Sequence, residues 1–224
     1  MPSRVFIILS LFSTHLTLFN RVDSEVMPPH LFVSLLVRLG LFKGKTLVEE
    51  LAFVRYFHYH PKNVLLHRIG FHFFFYALLS ALEIPCSLLG ARLWVPVLAL
   101  VVAYSAGFML LDLLAGLLGA AALTSVAAAV LLVYRVLPGF FLLAAVLAAV
   151  VGGSTQLFGH IYFDKSQPAF RPFEAFFTTP FYLYLSLLFQ CCNYKPTLRE
   201  AIRQKTQDWK GSERVVYGKR TFDE

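Results

Sequence analysis

The chain has 224 residues, 58% of them hydrophobic and only 15% charged, with a mean hydropathy of +0.65. Soluble domains carry roughly 25% charged residues, so an ordinary water-soluble fold and a disordered chain are both excluded. The net charge of +7 matters less than its placement: between Arg92 and Arg135 the only charge is Asp112, and 136–163 has no Asp, Glu, Lys or Arg.

In chain order, Val5 to Phe19 resembles a signal-peptide core behind Arg4. Ser13, Thr14 and His15 interrupt it and no A-x-A-like site follows, and a start at Met27 is equally consistent. Residues 1–45 form an N-terminal extension. Leu47, Leu51, Val54 and His58 follow helical spacing, which puts His58 on the apolar face of a short helix. Pro61 biases His60 away from helical dihedrals and ends that helix. A new helix can start near Asn63, with His67 one turn later on the same face.

A spanning helix needs about 20 mainly apolar residues. Ile69 to Leu89 supplies one, broken by Glu83. Leu93 to Tyr134 supplies two, with a reversal between Asp112 and Gly119, and Pro138 to Gly159 supplies a fourth. Ala175 to Tyr194 is a fifth apolar segment, interrupted at Thr178, Thr179 and Pro180. The expected fold is an all-α integral membrane bundle of four transmembrane helices, with the fifth segment re-entrant or spanning. The membrane-embedded core runs over 46–194 and a basic tail over 195–224. In that tail, Thr197 and Glu200 make a T-x-x-E capping box opening a helix to about Trp209, expected to rest on the membrane surface.

Loops rich in Lys and Arg stay in the cytosol. With four crossings, the face holding the N-terminal region and the loop after the fourth span has ten basic residues and the other face has two. The tail adds eight more, so it too should be cytosolic, which favours a re-entrant fifth segment. Because the charges flank membrane segments, the basic balance is not a nucleic-acid footprint. Cys86, Cys191 and Cys192 have neither the number nor the spacing for a disulfide framework or a zinc site.

Of seven histidines, His58, His60, His67 and His72 fall within fifteen residues at the first span. A four-crossing count returns His160, at the end of the fourth span, to the same face. Gln156, His160 and Asp164 are spaced i, i+4, i+8, a polar stripe on an apolar helix. Polar groups at membrane depth are costly and usually functional. Several neutral imidazoles facing a pocket suit a divalent transition metal such as iron, whereas interfacial histidines without a ligand are the plain alternative.

The segments F-H-Y-H-P-K-N-V-L-L-H (Phe57 to His67) and Q-L-F-G-H-I-Y-F-D-K-S-Q-P-A (Gln156 to Ala169) resemble the two signatures of the Mpo1-like family. The shared residues are His58, Pro61, Asn63 and His67, then Gln156, Gly159, His160, an acid at 164, Pro168 and Ala169. The resemblance covers about Thr46 to Arg203. The departures are His60 where Asn is frequent, His72 where Pro is common, and Asp164 where Glu is found. It implies an iron(II)-dependent dioxygenase of the endoplasmic reticulum membrane, its active site on the cytosolic face. Its substrates would be O2 and a 2-hydroxy long-chain fatty acid, shortened by one carbon in α-oxidation during phytosphingosine breakdown. On that reading His58, His67 and His160 hold Fe2+, leaving positions for substrate and O2. Asp164 is then a fourth ligand or an orienting partner, while Asn63 and Gln156 bond the substrate carboxylate or a bound oxygen. No Gly-rich dinucleotide loop or P-loop appears, in keeping with chemistry that needs no NAD(P)H. The competing expectation is a non-catalytic lipid-binding or scaffolding membrane protein, with protein partners unspecified.

Overall fold

A computed structural model describes residues 30–165 and 171–211. The apolar run at 5–19, the start at Met27, and Pro168 and Ala169 lie outside the described residues. Among the described residues every regular element is helical. A short helix α1 (His30–Arg38) precedes α2 (Leu47–Phe57), then come α3 (Pro61–Ala81) and α4 (Glu83–Leu89). Helices α5 (Trp94–Leu111) and α6 (Leu113–Val136) form a hairpin. They are followed by α7 (Phe141–Phe158), α8 (Thr179–Cys191) and α9 (Pro196–Gly211).

Among the described residues, four helices are long and apolar enough to cross a membrane: Pro61–Leu89, Trp94–Leu111, Leu113–Val136 and Pro138–Asp164. The first begins eight residues before the expected Ile69, because the apolar run hides behind His67 and Arg68, whose polar ends find partners inside the bundle. Arg68 donates to the Leu183 carbonyl at 3.2 Å and to Ser186 at 2.9 Å. The outer surface is apolar, with Val102, Leu132, Leu143, Val146 and Val150 all exposed. That is the surface expected of a membrane protein, since lipid is as apolar as these side chains.

The reversal expected between Asp112 and Gly119 falls on Asp112 itself, which has extended dihedrals (φ −160°, ψ 121°). Its carboxylate accepts the Ala115 amide at 2.8 Å, capping α6. Gly116 follows one turn later because a Cβ there would sit 2.4 Å from the Met109 nitrogen. Helices α3 and α7 approach backbone to backbone: a Cβ on Gly152 would lie 2.8 Å from the Phe74 nitrogen, and one on Gly70 2.2 Å from Thr155 Oγ1. Small residues at such a crossing permit the close packing that associates helices in lipid. This crossing fixes the two helices that carry His67 and His160.

Aromatic rings fill the centre. Phe108 packs on Phe177, Phe181 and Tyr184 with centroids 5.2–6.1 Å apart. The fifth segment is thus packed inward, with Phe181 and Leu185 fully buried. It begins with a π-helical turn at Glu174–Thr178, and together with α9 it is bent by 118°. Its far end returns to the α5–α6 reversal, where Lys195 Nζ lies 3.0 Å from Asp112.

The tail helix departs from expectation at its start. It begins at Pro196, whose fixed φ suits a first helical position. The Lys195 carbonyl accepts the Arg199 amide at 3.0 Å. Thr197 is therefore already helical, and Glu200 turns to Arg203 at 2.7 Å instead of closing a box. The T-x-x-E pattern that does cap a helix is at α2: Thr46 accepts the Glu49 amide at 3.2 Å, and Glu49 accepts the Lys45 amide, one residue before the cap, at 2.7 Å. The apolar face of α9 is covered by protein, with Ile202 buried and Thr206 bonded both to its own helix and to Ala52 of α2.

Candidate metal centre

Three segments converge to bring His58, His67 and His160 together. His58 follows the last turn of α2, its amide donating to the Val54 carbonyl at 3.0 Å. His60 takes extended dihedrals (φ −79°, ψ 130°) before Pro61 and caps α3. Helix α3 therefore starts at Pro61, two residues before Asn63, and carries His67 in its second turn. His160 sits in a π-helical turn, Gly159–Asp164, that ends α7. Such one-turn widenings are frequent at functional sites.

The three rings stand nearly edge to face, with centroids 4.4 Å (His58–His67), 5.0 Å (His58–His160) and 4.8 Å (His67–His160) apart. All three side chains are buried, and one nitrogen from each lies within 4.8 Å of the others, close enough to hold a metal ion. Among the described residues no acid or cysteine joins them.

The donor chemistry fits such an ion. His58 Nδ1 is 2.7 Å from the Val54 carbonyl oxygen and His67 Nδ1 is 3.0 Å from the Asn63 carbonyl oxygen. A carbonyl only accepts, so each Nδ1 carries the proton and each Nε2 keeps a free lone pair. His160 Nδ1 is buried without a hydrogen-bond partner. Burial holds the His58 imidazole below the usual histidine range, against the opposing pull of its Val54 bond and of the Asp164 charge. Neutral imidazoles whose other nitrogen is tied to a carbonyl are what transition metals take as ligands.

Asp164 stands outside the trio. One carboxylate oxygen accepts the His60 amide at 2.8 Å and the other accepts the Asn63 side-chain amide. The carboxylate thus ties the end of α7 to the start of α3 and holds the residue whose carbonyl holds His67. Asn63 is fully buried, and its Oδ1 has no partner. Gly159, next to His160, leaves room for that oxygen: a Cβ at Gly159 would lie 2.0 Å from Asn63 Oδ1 and 3.5 Å from His67 Cε1.

Gln156 is half-buried one turn before His160, and its side chain bonds to no described residue. The π turn breaks the i, i+4, i+8 stripe expected of a regular helix. His60 stacks on Phe163 at 5.1 Å. Both nitrogens of His72 are engaged, by the Arg68 carbonyl and the Tyr184 hydroxyl. Beside His72 a cleft of about 590 Å³ opens between α6 and α7, floored by Phe73 and Tyr76 and lined by Ala122, Ala129 and Ala148. Sequence reasoning missed the steric role of Gly159, although the glycine stands within the quoted motif.

No protein family, no curated protein and no solved structure matches the chain.

Proposed function

We propose that this chain is a membrane-embedded, iron(II)-dependent dioxygenase of the Mpo1-like kind, which removes one carbon from 2-hydroxy long-chain fatty acids. The observation that carries the reading is the buried trio His58, His67 and His160, two of them with Nδ1 locked to a backbone carbonyl. The reaction balances as R–CH(OH)–COOH + O2 giving R–COOH + CO2 + H2O, so the substrate supplies all the electrons that O2 takes. Bound by the trio, iron(II) would supply a redox-active Lewis-acid centre for that exchange.

The chain's own residues hold and shield. Val54 and Asn63 carbonyls fix two imidazole tautomers, Asp164 locks Asn63, and burial of the trio keeps bulk water from the centre. The apolar cleft beside His72 would accept an acyl tail from the bilayer, each buried CH2 contributing about 0.8 kcal/mol. That cleft is also what favours the second reading, a non-catalytic lipid-binding protein.

The protein is proposed to lie in the endoplasmic reticulum membrane with the trio and both termini cytosolic. The fifth segment then enters and leaves on that face. Supporting this, Arg171 before it stacks at 3.8 Å on Phe53 of α2, and Lys195 after it pairs with Asp112.

The test is detergent-purified protein loaded anaerobically with Fe(II), given 2-hydroxypalmitate and O2 without reductant, with apo protein as control. Iron-dependent pentadecanoic acid is expected by mass spectrometry. Stoichiometric iron with no product would retire the substrate assignment. If iron does not bind at all, the enzyme reading falls and the lipid-binding one takes its place.

A further inference from the structure

An ionised carboxylate only accepts hydrogen bonds, so Asp164 dictates which way the Asn63 amide faces. Its Nδ2 must point to Asp164, as it does, and Oδ1 is left as the group turned the other way. That oxygen is buried and unpartnered, and it lies where a Cβ on Gly159 would stand, close to the His67 ring. A buried acceptor without a donor carries a desolvation cost that a ligand bearing a donor would remove. A carboxylate oxygen cannot be that ligand atom, because acceptor would meet acceptor.

The geometry points to Asn63 Oδ1 as the residue that reads a hydroxyl donor on the ligand, selecting a 2-hydroxy acid over its 2-oxo counterpart. This rests on the proposed function above, and it assigns within that site the group that senses the oxidation state of the second carbon. Both acids can chelate a metal through the same two positions. They differ at the second oxygen, which carries a proton in one and not in the other. Leaving Asn63 Oδ1 unpaired, or setting it against a ketone oxygen, is expected to weaken 2-oxo acid binding by about ten- to a hundredfold.

Asp164→Asn gives a sharper expectation than deletion. The His60 amide still needs an acceptor, so the new side chain keeps its oxygen there and turns its NH2 toward Asn63. Asn63 must then rotate, Oδ1 toward residue 164 and Nδ2 into the site. The variant should reverse the preference and favour the 2-oxo acid.

The experiment uses the full chain in detergent, loaded with Co(II), whose visible absorption reports ligand entry without turnover. Dissociation constants for 2-hydroxypalmitate and 2-oxopalmitate are measured in the wild type, Asn63→Leu and Asp164→Asn, with cobalt content determined for each. Expected are about ten- to a hundredfold preference for the hydroxy acid in the wild type, loss of preference in Asn63→Leu, and reversal in Asp164→Asn. Equal affinities in the wild type, or an unchanged preference in Asn63→Leu with cobalt retained, would overturn the inference. Should Asn63→Leu fail to hold cobalt, Asp164→Asn decides alone: a preference unchanged from wild type overturns it. Binding of neither acid to cobalt-loaded wild type would instead sink the functional reading, and this inference with it.

Discussion

Gly159→Ala tests the site through one methyl group. The added Cβ would stand 2.0 Å from Asn63 Oδ1, where ordinary contact needs roughly 3.5 Å. Asn63 cannot retreat easily, being fully buried and held by Asp164. Either Asn63 shifts and takes with it the carbonyl that orients His67, or the π turn carrying His160 moves. Overpacking of this kind costs about 1–3 kcal/mol. Loss of an orienting partner behind a ligating histidine costs about 10–100-fold in metal affinity. The matched control is Gly153→Ala on the same helix, where a Cβ meets nothing within 4 Å. Chelator competition for bound metal, with thermal unfolding in detergent, should show Gly159→Ala weakened by at least tenfold in affinity (about 1.4 kcal/mol) and Gly153→Ala unchanged. Wild-type metal affinity in both variants would refute the packing argument.

Three further expectations follow from the same contacts. Single replacement of His58, His67 or His160 by Ala should abolish stoichiometric metal while expression is retained, and elemental analysis showing full metal content in any one variant removes that residue from the ligand set. Asp112→Asn keeps the Ala115 cap but loses the charge partner of Lys195. A loss of about 1–3 kcal/mol is expected, read as a melting temperature lower by about 2–4 °C per kcal/mol. Burial holds the Glu50 carboxyl above its ordinary 4.5, against its bonds to the Gly44 and Lys43 amides and the Arg171 charge. Since its folded value is raised, its contribution is fully present below about 4.5 and is lost as pH rises through the folded value. Glu50→Gln should therefore flatten the fall in melting temperature over that window, and an unaltered pH profile would show that Glu50 is not its source.

Much of this architecture is written in hydropathy and charge. The four long apolar helices follow from run length, and the shared location of His58, His67 and His160 follows from an even number of such helices between them. Other features depend on where a side chain finds its partner, which spacing does not encode. The first long apolar helix can run through Arg68 because that side chain is received by α8, a segment more than a hundred residues away in sequence. The T-x-x-E pattern occurs at both Thr46 and Thr197; Thr46 caps its helix, while the proline before Thr197 starts the tail helix one residue too early for Thr197 to do so. The stripe of Gln156, His160 and Asp164 assumed a regular period of 3.6. A π turn at Gly159 widens that period, leaving His160 in the trio and turning Asp164 to the start of α3.

The division of labour at the site has a mechanical consequence. His58 comes from the end of α2, His67 from α3 and His160 from the end of α7, so a metal held by all three cross-links segments otherwise joined there by Asp164. The α3–α7 crossing at Gly70 and Gly152 is rigid without any ligand, because the two backbones are in contact. The junction of α2 with that pair has no such backbone contact; it depends on the chain passing through His60 and Pro61, on the docking of α9 against α2, and on side-chain contacts of Phe53 and Arg55 with Arg171 and Tyr182. Metal binding should therefore stabilise the α2 end far more than the long apolar helices, since a ligand stabilises only the states that present its site intact. Hydrogen exchange on metal-loaded and apo protein can resolve this. Added protection should concentrate at residues 54–67 and 159–164. Uniform protection across α5 and α6 would mean that the metal acts on the whole bundle, and that the trio is not the local clamp inferred from its geometry.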